Sequence, residues 1–265
     1  MKIYISCDME GTSGVVSWDQ CLKDRPEFER ARYLLLGDVN AAVEGALAAG
    51  ADEVIVADMH DGSLILPTEG LHPGAKYVVG VPHISPRFPY LEDSFDAMFL
   101  VAYHAMAETS PAVLAHTMSS EWFEYAVNGT PVGEVEIDAA LAGAAGVPVT
   151  LVTGDQAVCA EARRFLGEIE TVEVKQATDY ARALCLAPMT SHQLIREAAE
   201  RAAKIGKKVK RFGFGTPVEI TVKMRDQRAV PRGDGKATFN PDPFTIGYRY
   251  KRFEEHYGGT WKGRK

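Results

Sequence analysis

The chain has 265 residues, of which 46% are hydrophobic and 25% are charged, a composition typical of a folded globular protein and not of a disordered one. Its formal net charge of -7 provides no overall positive field for binding nucleic acid. The four cysteines show no CxxC spacing, so neither a disulfide framework nor a thiolate zinc site is indicated.

The N-terminal residues have the composition of a strand from Lys2 onward. No basic segment followed by an apolar one precedes this strand, and no apolar stretch reaches about 18 residues. We therefore expect a soluble cytoplasmic protein that does not contact a membrane.

The first half of the chain alternates strand-like and helix-like segments. Residues 2–11 are rich in β-branched and aromatic residues and end at a Gly-Thr-Ser-Gly turn, which predicts a strand. Apolar residues recur at helical spacing over 28–50, and 53–60 is a second apolar strand. This β-α-β order favours parallel strands with a right-handed connection. A third strand is predicted at 96–104.

The second half begins with a turn signal, Asn128-Gly129, which predicts a hairpin between strands at 122–127 and 130–132. The other predicted elements are helices at 134–146, 157–166 and 194–203 and strands at 148–153, 171–176 and 217–224. We therefore predict an α/β fold: a mostly parallel, Rossmann-like sheet flanked by helices, with a smaller α+β C-terminal subdomain. The predicted domains are a metal-binding catalytic domain, 1–189, and a subdomain packed against it, 190–265.

Two carboxylates, Asp8 and Glu10, stand at the end of the first predicted strand. Side chains alternate along a strand, so both would leave the same face if the strand continues to its end. Like charges so close are resolved by a shared proton, a raised pKa or a bound cation. We pursue the bound cation.

The next two predicted strands end in histidine, at His60 and His104. Ligands bind at the carboxyl ends of the strands in open α/β sheets, so these side chains should converge with Asp8 and Glu10. Glu134, at the start of a predicted helix, completes a candidate set of divalent metal ligands. Five protein ligands exceed the three of a single catalytic zinc and favour two ions bridged by a carboxylate, with Asp8 as the natural bridge.

Each of these residues also has an ordinary structural role open to it. The carboxylates can cap turns, a strand-end histidine can simply be hydrogen-bonded, and Glu134 can favour the helix dipole. His116 lies in a short run after the third strand, and beside a metal pair it could act as a base, a nucleophile or an oxyanion partner.

These residues stand in motifs that resemble peptidase family M55, the D-aminopeptidase family. The matching stretches are 6–14, Asp58-Met59-His60, Tyr103-His104-Ala105, His116-Thr117-Met118 and 128–134. The similarity is good over 1–190 and looser beyond.

The resemblance implies a binuclear zinc aminopeptidase that removes N-terminal D-amino acids from short peptides, assembled as a decamer with active sites inside a channel. It implies that Asp8 bridges two zinc ions, that Glu10 and His104 complete one site, and that His60 and Glu134 complete the other. By the same resemblance, His116 is the catalytic residue.

We therefore expect a homo-oligomeric, metal-dependent aminopeptidase with two divalent ions per chain, zinc in the first place, which activate water beside a catalytic histidine. Two-metal sites also serve amidases and phosphoesterases, so a hydrolase of another bond is an alternative. The sequence shows no phosphate-binding Gly-rich loop with lysine, which favours peptides. A second alternative is an accessory protein that binds peptides without turnover.

Overall fold

The computed structural model describes residues 1–61, 64–80 and 86–258. The strands are β1 (Lys2–Cys7), β2 (Glu53–Asp58), β3 (Lys76–Val78), β4 (Ala97–Tyr103), β5 (Trp122–Val127), β6 (Thr130–Pro131), β7 (Val149–Asp155), β8 (Glu170–Asp179), β9 (Arg182–Cys185), β10 (Val218–Met224), β11 (Thr238–Phe239) and β12 (Thr245–Tyr250). The α-helices are α1 (Pro26–Ala48), α2 (Glu134–Ala144), α3 (Gln156–Leu166) and α4 (Pro188–Ile205). Within these ranges, no helix combines the length and apolar character that a membrane crossing requires.

The larger sheet has seven strands in the order β3-β2-β1-β4-β7-β8-β9. Every neighbouring pair in it is parallel except β8 and β9, which are antiparallel. Helices cover this sheet, and the predicted α/β fold class with a mostly parallel central sheet is confirmed.

Strand β1 lies inside this sheet and is apolar on both faces, as expected for a strand covered by helices on both sides. Ile3 and Ile5 pack into the core on the face of α1 and α4, whereas Tyr4 packs into the opposite core, beside Phe88 and Phe95. Packing against both cores fixes the position of β1 in the sheet, and therefore the position of the residues that follow it.

Helices α1 and α4 pack closely against each other on one face of the larger sheet. A Cβ atom on Gly45 of α1 would lie 2.3 Å from the carbonyl oxygen of Arg196 in α4, so only glycine permits this approach. Helix α4 thus belongs to the layer that covers β1.

The smaller sheet has five strands in the order β11-β12-β10-β5-β6, with antiparallel neighbours. Its hairpin turn contains Asn128 and Gly129 with φ values of 50° and 77°, the positive values that an Asn-Gly turn adopts. Strand β10 pairs with β5, so the sheet combines strands from both sides of residue 190. The division into 1–189 and 190–265 stays a prediction, and this pairing and the α1–α4 contact both cross it.

His256 lies in an aromatic cluster on the smaller sheet, where burial lowers the pKa of its imidazole to about 4. The rings around it are those of Tyr125, Tyr248, Tyr250 and Tyr257. The unfolded value is about 6.5, so protons bind the unfolded chain first as the pH falls, and the folded state loses stability between the two values.

We expect His256→Phe to make the protein more resistant to acid. When the pH is lowered from about 6.5 to about 4, the free energy of unfolding should fall by about 2–3 kcal/mol more in the wild type than in the variant, because phenylalanine does not titrate. Urea unfolding of both proteins across this range measures the difference. Parallel curves for the two proteins would contradict a role for this histidine.

Candidate metal centre

The candidate residues meet at the carboxyl edge of the larger sheet. Asp8 directly follows β1, His60 is the second residue after the neighbouring β2, and His104 directly follows β4 on the other side of β1. The carboxyl ends of the three strands are in register. The convergence predicted for these residues is therefore what the structure shows.

The route that brings Glu10 to this edge differs from the prediction. Strand β1 ends at Cys7 and not at Gly11, so alternation along an extended strand does not place the two carboxylates. The chain turns instead, and Gly11 N donates to Ala102 O at 2.8 Å. A Cβ atom at Gly11 would lie 2.0 Å from Tyr103 O, so glycine is required for this approach to β4.

Lys175, to which the sequence reasoning assigned no role, holds the turn from inside. It is buried, and its ammonium group donates hydrogen bonds to the backbone carbonyls of Glu10, Thr12 and Val15. Burial lowers the pKa of Lys175 to about 8, because nearby negative charges, that of Asp155 foremost, offset only part of the lost hydration. The lysine thus fixes the backbone at Glu10.

Asp8 lies between the two histidines and directs one carboxylate oxygen to each. Its Oδ1 is 3.0 Å from Nδ1 of His60, and its Oδ2 is 3.3 Å from Nε2 of His104. Glu10 Oε2 lies 3.3 Å from the same His60 nitrogen, and Glu134 Oε1 lies 3.3 Å from the same His104 nitrogen. The five predicted ligands thus form one cluster around Asp8.

Backbone carbonyls set the orientation of both imidazoles. Because a carbonyl oxygen only accepts, His60 must donate its Nε2 proton to Cys21 O at 3.0 Å, and His104 must donate its Nδ1 proton to Ala105 O at 3.0 Å. The other nitrogen of each neutral ring then directs a lone pair at the carboxylates. Metal-binding histidines are commonly oriented by such a bond to the second nitrogen.

The lone pairs of the two imidazoles repel the carboxylate oxygens that they face, so a positive charge is needed between them. His104 Nε2 and Glu10 Oε2 are buried and have no hydrogen-bond partner among the described residues. Burial opposes charge on His104, yet Asp8 and Glu134 raise its pKa well above the usual value. Burial likewise opposes ionisation of Asp8, yet His104 and His60 hold its pKa well below the usual value. Either protons or a metal ion can supply that charge, and this O and N donor set fits a divalent ion.

Glu134 enters the cluster from the first residue of α2. Its Oε1 also accepts a hydrogen bond from Met118 N at 2.8 Å. Burial alone would raise the pKa of this carboxyl, but the hydrogen bond and charge of His104 lower it to about 2. Glu134 is therefore ionised, and α2 and the backbone N–H of Met118 hold it at the cluster.

Arg87 and Asp138 support Glu134, and the sequence reasoning missed both. Arg87 makes two hydrogen bonds to the Asp138 carboxylate, at 2.6 and 3.1 Å, and its Nη2 lies 3.6 Å from Glu134 Oε2. Tyr103 OH donates to Asp138 at 2.6 Å. One signal was available, because Asp138 follows Glu134 by one helical turn and therefore shares its face of α2.

His116 stacks on His104, with ring centroids 3.9 Å apart. Its Nδ1 donates to Leu114 O at 2.8 Å, and its Nε2 lies 3.8 Å from Glu134 Oε1. Burial and the charge of His104 lower the pKa of His116, so its Nε2 carries a free lone pair at neutral pH. Nε2 is close enough to His104 and Glu134 to share a metal ion, and it is equally placed to accept a proton.

His116 also lines a cavity of about 400 Å³ next to the cluster. This volume lies within the range of about 300–1,000 Å³ that is usual for small-ligand sites. Trp18 contacts the His116 ring edge-on and donates its indole N–H to Tyr180 OH on the cavity wall. The cluster therefore has an adjacent space for a substrate.

A parallel α/β sheet that buries carboxylates and imidazoles at its carboxyl edge, beside a cavity, is suited to metal-dependent hydrolysis. The sequence model of peptidase family M55, described as D-aminopeptidase, matches residues 1–257. The chain belongs to this family, and the protein is accordingly a peptidase. The motif resemblance is thereby confirmed, and the match includes the C-terminal part where the motifs indicated only a loose similarity.

Two similar proteins support this assignment. The chain is 33% identical over 210 residues to a D-aminopeptidase of Bacillus subtilis (strain 168), which covers 79% of this chain and 76% of that protein. It also resembles the solved structure of the Zn-dependent D-aminopeptidase DppA from Bacillus subtilis, a self-compartmentalizing protease. That similarity has a TM-score of 0.89 and 28% sequence identity, and covers 97% of this chain and 94% of the other.

Proposed function

We propose that the protein is a zinc-dependent aminopeptidase that removes the N-terminal residue, a D-amino acid, from short peptides. The observation that carries this proposal is the cluster around Asp8, in which two oriented imidazoles and three carboxylates leave buried donor atoms directed at one another. Two divalent ions per chain would fit this donor set. The proposed ligands are Asp8, Glu10, His60, His104 and Glu134.

Asp8 is proposed as the bridging ligand, because each of its oxygens faces a different histidine. The remaining ligands are divided between the ions by resemblance, with Glu10 and His104 at one and His60 and Glu134 at the other. Ligand atoms of Asp8, Glu10 and His104 lie within 4.8 Å of one another, which supports the first of these sites. The shortest contacts nevertheless pair Glu10 with His60 and Glu134 with His104. The bridging role of Asp8 is common to both divisions.

When bound, the ions would act as Lewis acids and would lower the pKa of water toward about 7, which makes hydroxide available at neutral pH. The protein's own contribution is to orient and to move protons. His116 offers its Nε2 lone pair beside Glu134, within reach of a proton released at the cluster. The cavity that His116 lines holds the rest of the peptide.

Zinc is proposed because imidazole and carboxylate suit it and because DppA is described as Zn-dependent. The preference for D-amino acids is supported by the family description and by the Bacillus subtilis relative. We also propose that the chain forms a homo-oligomer, a decamer by resemblance, since DppA is a self-compartmentalizing protease.

Hydrolysis of a matched substrate panel tests the proposal. D-Ala and L-Ala p-nitroanilides, D-Ala-D-Ala and L-Ala-L-Ala are incubated with zinc-loaded and with chelator-stripped protein, and bound metal is counted in the same samples. We expect metal-dependent release from the D substrates, with about two ions per chain.

The other outcomes separate the alternatives. Faster cleavage of the L substrates would support the proposed aminopeptidase activity and contradict the proposed preference for D-amino acids. Bound metal without turnover of any peptide would contradict the proposal and favour a two-metal hydrolase of another bond or a peptide-binding protein.

A further inference from the structure

The cavity beside His116 also contains a positively charged group. Arg225, from the segment directly after β10, lines the same cavity as His116. A peptide placed with its scissile bond at His116 would extend into this space. The cavity therefore joins the proposed catalytic residue to a guanidinium group.

Neighbouring groups hold the Arg225 guanidinium in one orientation. Its Nε donates to Ser120 O at 3.1 Å, its Nη2 donates to Glu108 Oε1 at 2.6 Å, and it lies 5.5 Å from the centre of the Phe123 ring. Its Nη1 has no acceptor among the residues that the structure describes. The group is thus oriented in advance and still has hydrogen-bond donors to offer.

We propose that Arg225 binds the C-terminal carboxylate of a short peptide while the N-terminal residue lies at the metal cluster. Arginine is the side chain best suited to a carboxylate, because its planar donors match the two oxygens. This inference rests on the proposed aminopeptidase function and adds a length requirement to it. A carboxylate bound at a fixed distance from His116 favours peptides that end inside the cavity over longer chains.

Two acidic residues on the cavity walls limit where a carboxylate can bind. Asp179 accepts a hydrogen bond from Tyr180 N in the turn between β8 and β9, whereas Glu108 is paired with Arg225. Both Glu108 and Arg225 are about half exposed, with side-chain exposures of 45% and 48%, so their ion pair is weak and a substrate carboxylate can compete with it. Among the described residues that line this cavity, Arg225 is the one lysine or arginine, so the substrate carboxylate binds at the Arg225 end of the cavity.

The test compares two substrates that differ only at the C-terminus, D-Ala-D-Ala and D-Ala-D-Ala amide. If the wild type cleaves the L forms instead, the L pair is used. The measured quantity is the ratio of kcat/KM for the acid to kcat/KM for the amide. The zinc-loaded wild type, Arg225→Gln and Arg225→Lys are compared.

We expect Arg225→Gln to lower this ratio by about 10–100-fold, through a higher KM for the acid and with little change for the amide. Arg225→Lys should restore part of the loss, because it keeps the charge without the planar donors. Arg228→Gln is the matched control, since Arg228 is an exposed arginine paired with Asp226 and does not line the cavity. An equal loss for both substrates would show a structural role and overturn the proposal, as would an unchanged ratio.

Glu108→Gln provides a test of opposite sign. Removing the carboxylate that competes for Arg225 should lower the KM for the acid by about 2–5-fold and leave the amide unchanged. A higher KM for the acid alone would also support carboxylate binding by an Arg225 that Glu108 orients, whereas an equal change for the acid and the amide would overturn the proposal.

Failure of the proposed function is distinguishable from failure of this inference. If the wild type cleaves neither substrate, the aminopeptidase proposal fails. Calorimetric binding of the same acid and amide to the wild type and to Arg225→Gln then measures carboxylate recognition directly. Tighter binding of the acid that disappears in Arg225→Gln supports the site, and equal affinities overturn it.

Discussion

Asp8→Ala purified in the presence of zinc is expected to lose both metal ions, whereas the wild type should hold about two per chain. The reason is geometric, because both imidazole nitrogens of the cluster face the carboxylate of Asp8, at 3.0 and 3.3 Å. Removing a residue that merely supports a ligand already costs about 10–100-fold in metal affinity. Loss of the shared ligand should exceed that, and hydrolysis should fall to background.

Elemental analysis after gel filtration measures the metal content of this variant. Asp24→Ala is the matched control, since Asp24 is an exposed aspartate with 83% of its side chain accessible. Asp8→Asn keeps the side-chain volume and removes the charge, so it separates loss of metal from collapse of the loop. Retention of one ion in Asp8→Ala would show that Asp8 belongs to a single site, and retention of both would show that the bridge is misassigned.

Much of the fold was accessible from the sequence because its elements carry strong local signals. The hairpin around Asn128-Gly129 followed from the turn that this pair favours, and apolar spacing predicted a helix at 28–50 that is observed at 26–48. Strand β9 was not predicted, because Arg182–Cys185 is short and lacks β-branched residues. Its pairing to the edge of the sheet is a tertiary contact that no local pattern encodes.

The same distinction applies to the site. The five proposed ligands and His116 stand in recognisable motifs, four of them at or just after strand ends, Glu134 at a helix start and His116 in the connection after β4. Their residue types and their order along the chain are enough to indicate a common site. The structural role of Lys175 could not be predicted in this way, because Lys175 acts on the backbone of Glu10 from 165 positions away along the chain. The contacts of Arg87 with Glu134 and Asp138 similarly form only when α2 packs at the edge of the sheet. Side chains that orient a site through distant contacts are visible only once the chain is folded.

The backbone geometry that brings Asp8 and Glu10 together was also predicted wrongly from the sequence. A turn stabilised by Gly11 and Lys175 produces it, where the strand pattern predicted simple alternation. The two carboxylates are close together, as predicted, but through a different backbone geometry. Both an extended strand and a turn can bring two carboxylates this near in sequence to the same place.

His116→Ala is expected to keep its metal while kcat falls by about 10²–10⁴-fold, the range of general acid–base catalysis. His116 lies against the cluster, with its Nε2 3.8 Å from Glu134 and its ring 3.9 Å from that of His104. Its lowered pKa keeps the Nε2 lone pair available at neutral pH, so the side chain can accept a proton there. Turnover of the proposed D-alanyl substrate and bound metal should be measured on the same sample.

The matched control is His72→Ala, because the His72 ring accepts a hydrogen bond from Gly74 N in a surface loop and lies outside the cluster. The metal content decides between the two roles that the geometry allows. Loss of one ion from His116→Ala would identify His116 as a ligand, whereas intact metal with slow turnover would identify it as a catalytic residue, and the proton-acceptor role is the one that its free Nε2 lone pair favours. Near-normal turnover with intact metal would exclude both, and the proton would then have to leave through Glu134, the carboxylate nearest to the His116 ring nitrogen.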